Sequence, residues 1–147
     1  MKDERGFTLV ELLLGAVITA VVVSFLGFMV FQTFQVEEFG SAQITARNEL
    51  QNAAAWMQGD AVEAKTAAGG SQLTLTMPDA SIITYAKSGT DLTRTSGSTV
   101  NTIARNISAA TFSVSGRLVT VDLTSTPPGR SGAEAQGTYI FNMRPTL

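Results

Sequence analysis

The chain contains no cysteine and no histidine. Without cysteine there is no disulfide framework, no thiol nucleophile and no thiolate metal site. Without histidine the commonest general base and the commonest metal ligand are missing. The usual zinc sites are excluded with them. Serine and threonine are abundant, yet none has a histidine to activate it. An excess of positive charge is also lacking: 10 Lys and Arg stand against 12 Asp and Glu, for a net charge of −2. A nucleic-acid binder needs a basic face, and the sequence pI near 5.0 argues against one. Composition therefore points away from catalysis and from a nucleic-acid partner, and it implies no cofactor. The 147 residues suffice for one modest domain.

What is present is concentrated at the N-terminus. From Phe7 to Phe31 the only charged residue is Glu11. At about 1.5 Å per residue, a helix of that length spans roughly 37 Å. The hydrocarbon core of a bilayer needs about 30 Å. A buried core helix would be shorter and would carry a polar stripe. A secretory signal peptide would have a shorter apolar region and a small-residue cleavage site, and no such site follows Phe31. A plain signal anchor remains open. Lys2 and Arg5 precede the run, and Glu37 and Glu38 follow it. The positive-inside rule then puts the N-terminus in the cytoplasm and the rest outside. A plain anchor gives Glu11 no task beyond reaching the headgroups, and a carboxylate within a span is costly.

The order Gly6-Phe7-Thr8-Leu9-Val10-Glu11, behind a short charged leader, strongly resembles the processing site of type IV prepilins and pseudopilins. The resemblance runs from Met1 to about Phe31. It implies that a prepilin peptidase cuts between Gly6 and Phe7 and that the new amine of Phe7 is N-methylated. Gly6 has no side chain, so a peptidase can approach its backbone closely. Lys2 and Arg5 would hold the leader on the cytoplasmic face. The resemblance also implies that Glu11 meets the Phe7 amine of another copy or of another pilin, fixing register as polar groups in packed helices do. In one respect the sequence departs from many major pilins: Ser24-Phe25-Leu26-Gly27-Phe28 contains no proline. Gly15 and Gly27 either weaken the helix there or permit close helix packing.

Beyond the apolar run, Phe39, Ala46, Leu50, Ala53, Met57 and Ala61 recur at a period of about 3.6. One helix from about Phe7 to Ala68 is expected, ended by Gly69-Gly70. Residues 69–147 are rich in Ser, Thr and Gly, with short alternating runs. Leu73, Leu75 and Met77 form one such run, Ile83 and Tyr85 a second, and Leu92 centres a third. Phe112 and Val114 follow, then Val119, Val121 and Leu123, and last Tyr139, Phe141 and Met143. Period and turn residues make these half-buried antiparallel strands. The region 98–106 reads as either a helical turn or a loop, and Ser125 to Gly137 as a flexible loop. The expected fold is α+β, a long helix packed on an antiparallel sheet head. The divisions are a cleaved leader at 1–6, a transmembrane assembly helix at 7–31, its amphipathic continuation at 32–68 and the head at 69–147.

Within the pilin-like group, the head loosely resembles minor pseudopilins of the J type from type II secretion systems. The similarity rests on "TYAKSGTDLTR", "IARNISAATFSVSGRLVTVDLTSTPP" and "YIFNMRP". Asp79, Asp91 and Asp122 are too dispersed for a calcium loop and read as turn and surface residues. Trp56 falls off the apolar stripe, to pack under a loop of its own head or to contact a neighbour. Arg94, Arg105 and Arg117 are candidates for a basic patch. The resemblance thus implies a non-enzymatic filament subunit, a minor pseudopilin or minor pilin. It would reside in the cytoplasmic membrane until assembled. Its partners would be prepilin peptidase, other pilin or pseudopilin subunits, and an inner-membrane platform driven indirectly by an ATPase. The competing reading is a single-pass protein whose outer head binds a ligand or acts as an enzyme.

Overall fold

The structure, a computed structural model, describes residues 8–129 and 132–144, without the side chains of residues 35–38. The chain divides into two units, Met1–Glu38 and Phe39–Leu147. Helix α1 (Leu9–Glu63) belongs to both. In the first unit every described side chain is exposed, from Leu9 to Phe34. Apart from Glu11 and Gln32, the polar side chains described on this surface are hydroxyls that are already satisfied. Thr19 donates to the Gly15 carbonyl at 2.8 Å, Ser24 to Ala20 at 2.7 Å and Thr33 to Met29 at 3.0 Å. Such back-bonding hides a hydroxyl from an apolar medium. Among the described residues, α1 is the one helix long and apolar enough to cross a membrane.

In the second unit the same helix becomes one-sided. Ala46, Leu50, Ala53, Met57 and Ala61 are buried, as their period predicts, whereas Phe39 is 49% exposed. Four of these five side chains are small or unbranched, so the helix can lie close to a sheet. It ends at Glu63, not Ala68. The amide of Lys65 donates to the Thr76 carbonyl, and Thr66–Ala68 form strand β1 against Thr74–Thr76. Ladder bonds here override the helix preference of Ala67 and Ala68.

Gly69-Gly70 therefore does not cap the helix. It joins two sheets. The Gly70 amide donates to the Phe112 carbonyl at 3.0 Å, and these residues form an antiparallel bridge. A Cβ on Gly69 would sit 2.7 Å from that carbonyl oxygen. Gly70 also needs a φ of 142°, open mainly to glycine.

Seven further strands follow: β2 (Gln72–Thr76), β3 (Ile82–Ser88), β4 (Asp91–Ser96), β5 (Thr99–Ala104), β6 (Ile107–Ser115), β7 (Leu118–Ser125) and β8 (Ala135–Asn142). Instead of one sheet there are two, both antiparallel, with orders β1-β2-β3-β4-β5 and β6-β7-β8. The ambiguous region 98–106 contains strand β5. Cross-strand bonds to β4 decide what local pattern leaves open. The loop expected from Ser125 to Gly137 is shorter, because β7 runs to Ser125 and β8 begins at Ala135. Residues 130 and 131 of that loop lie outside the described ones. Leu73, Leu75, Ile83, Tyr85 and Leu92 from the first sheet meet Phe112, Val119, Val121, Leu123 and Phe141 from the second in one core with the helix.

Candidate functional site

Two places gather polar groups with a task. One is the start of α1. Thr8 stands just before the first helical residue and Glu11 in the first turn. The Glu11 carboxylate accepts from the Thr8 amide at 3.1 Å and from the Thr8 hydroxyl at 3.0 Å. In return the Glu11 amide donates to the Thr8 hydroxyl at 3.3 Å. This reciprocal pair is a capping box, which satisfies amides that a helix N-terminus otherwise leaves bare. Thr-x-x-Glu ahead of an apolar run is its sequence signature. That signal was present at residues 8–11, and reading Glu11 only as a partner for another chain overlooks it. Gly6, Phe7, Lys2 and Arg5 lie outside the described residues.

The other place is the contact between α1 and the first sheet. Asp60 is held by Arg94 in a two-pronged pair, Nε to Oδ2 at 2.6 Å and Nη2 to Oδ1 at 3.1 Å. The Tyr85 hydroxyl donates to the same carboxylate. Arg94 and Asp60 are only 14% and 16% exposed. Burial, then the Asp60 carboxylate, push the Tyr85 hydroxyl well above the usual tyrosine range. The hydrogen bond to Asp60 likewise raises Arg94. The Arg94 guanidinium lies 5.5 Å from the centroid of the Trp56 ring, which stays 46% exposed. Trp56 is thus beside a strand residue, not under a loop. The network depends on strand register, which no local sequence pattern reveals.

The remaining candidates are dispersed. Asp79 accepts from the amide and hydroxyl of Ser81 in a tight turn, and these bonds lower its pKa. Asp122 accepts from Thr138 at 2.6 Å across two strands. Asp91 opens β4 opposite Ser88. Among the described residues no acidic group of metal-binding size forms. The three arginines do not unite. Arg94 is committed to Asp60, the Arg117 guanidinium donates to the Met143 carbonyl, and the Arg105 amide donates to Glu49.

Residues 1–27 match the prokaryotic N-terminal methylation motif. No curated protein and no solved structure matches the chain. The matched residues include Thr8 and Glu11 and most of the exposed apolar helix. With a long apolar N-terminal helix followed by antiparallel sheets, the match supports a type IV pilin-like protein with a pilin-like α+β fold. It points to a structural protein and agrees with membrane anchoring through α1. The head lies beyond the match.

Proposed function

We propose that the chain is a minor pseudopilin or minor pilin of a type IV pilus-like or type II secretion filament. One observation carries this reading: the methylation motif of residues 1–27 overlaps the exposed and mostly apolar first half of α1. Prepilin peptidase cuts between Gly6 and Phe7 and leaves a methylated amine on Phe7. Lys2 and Arg5 keep the leader in the cytoplasm, the head stands outside, and other pilin subunits join through the helix on an inner-membrane platform that an ATPase drives indirectly. Lipid cannot solvate an isolated carboxylate, so Glu11 needs a partner at every stage. Thr8 supplies one in the single chain. The Phe7 amine of a neighbour supplies a stronger one on assembly, because a charge-assisted bond outweighs a neutral one.

The test is Gly6→Ala expressed beside an active prepilin peptidase. The variant should stay at precursor size while the parent chain shortens. A parent and a variant of equal size would contradict the proposal.

A further inference from the structure

The end of α1 breaks two helix rules at one place. Gly59 stands inside the helix, where glycine is destabilising relative to alanine. The head does not require it, since a Cβ on Gly59 would have nothing within 4 Å. The last turn carries Asp60 and Glu63 and no base, although the helix dipole favours cations there. Asp60 is answered by Arg94. Glu63 is exposed and has no ion-pair or hydrogen-bond partner among the described residues. Local rules broken without a gain for the fold mark functional places.

Both residues line one cleft. It has a volume of about 360 Å³ and runs beside Asn52, Ala55, Trp56, Gly59, Asp60 and Glu63, on one flank of α1. Ala55 and Gly59 leave the room. Trp56 borders it with a half-exposed ring, fixed from the sheet side by Arg94 in the grip of Asp60. The other side chains are mainly acceptors. Asn52 spends its Nδ2 on the Ile103 carbonyl at 2.6 Å, which leaves its Oδ1. Arg94 cancels the charge of Asp60, so Glu63 gives the cleft one net negative charge.

An acceptor-rich cleft with a net negative charge and an exposed indole is complementary to a cation. Its length selects the kind. From Asn52 to Glu63 the helix rises about 16 Å. That suits an extended side chain with the backbone that bears it, not a small ion. Asp60 and Glu63 project from successive turns. A compact ammonium, with donors in three directions, reaches both, whereas the planar fork of a guanidinium suits a single carboxylate edge.

We propose that this cleft receives a lysine side chain of a neighbouring subunit that is not a second copy. The ammonium sits between Glu63 and Asp60 against the Trp56 ring. The four-carbon stem crosses Gly59, and the Asn52 Oδ1 faces the backbone that carries the lysine. The inference rests on the proposed function in one point: the neighbours of a minor subunit are other proteins.

The full-length chain, in membranes of cells that also make its pilin partners, is treated with a water-soluble carbodiimide. This reagent joins a carboxylate directly to an amine in contact with it. The parent should give an adduct with a protein of other mass, and tandem mass spectrometry should place the link between Glu63 and a partner lysine. Glu63→Gln removes the reacting group and should lose that adduct. Gly59→Leu and Trp56→Leu keep the carboxylate. The first fills the cleft with a better helix former, and the second removes the indole. Each should lower the adduct roughly tenfold, as expected when a charge-assisted contact is broken. Unchanged thermal unfolding of each variant shows that the site, not the fold, was lost. An adduct absent from the parent, undiminished in Gly59→Leu and Trp56→Leu, or formed between two copies of the chain would overturn the proposal. Leader removal is read from the mass of the same samples. A processed chain without the adduct therefore rejects the lysine site and leaves the filament reading intact, whereas an unprocessed chain contradicts that reading whether or not the adduct forms.

Discussion

At the scale of single residues, the proposed assembly gives Glu11 two partners at different times. In the isolated chain Thr8 satisfies it locally. Glu11→Ala should leave leader removal largely intact and lower incorporation into filaments, measured by co-purification with pilin partners. Unchanged co-purification would count against an assembly role. Thr8→Ser keeps the hydroxyl and should behave as the parent, whereas Thr8→Val loses the local bond and should reduce the yield of membrane-inserted chain. Tyr85 makes a separate prediction, in the head. Its folded pKa is raised, so its contribution to stability is complete below about pH 10, the ordinary tyrosine value, and is lost as pH rises beyond it. Alkaline melting of the detergent-solubilised chain should show a fall in Tm above that pH. In Tyr85→Phe the fall should be shallower.

At the scale of elements, the helix and sheets are tied by a few contacts of high sequence separation. Asp60→Ala would strand the Arg94 guanidinium and the Tyr85 hydroxyl, and should cost about 2–3 kcal/mol in denaturant unfolding of the head. Gly69→Ala would drive a methyl group against the Phe112 carbonyl and should cost about 2 kcal/mol. These elements show which parts of the fold were legible in sequence. The apolar stripe from Ala46 to Ala61 and the alternation in β2, β3 and β7 follow from periodicity alone, and the buried residues are those expected. The true helix end, strand β5 and the split into two sheets were not legible. Each is fixed by bonds to residues distant in the chain, such as Lys65 to Thr76 and Gly70 to Phe112. Thr8 is a different case: its signature, Thr-x-x-Glu ahead of an apolar run, is local and complete in the sequence.

At the scale of the whole molecule, each unit has its own logic. The first has an apolar surface with no core of its own, as a segment meant for lipid or for other helices should. The second encloses a core between helix and sheets, so it does not need the first to bury its apolar side chains. The match to the N-terminal methylation motif at residues 1–27 supports a history proposed for the apolar unit: made as a precursor, cut, and methylated. That history is the central claim, and the N-terminus of the mature protein tests it most directly. Tandem mass spectrometry of the chain purified from cells with active prepilin peptidase should find its first residue to be methylated Phe7. A chain that still begins at Met1 in those cells would contradict the account.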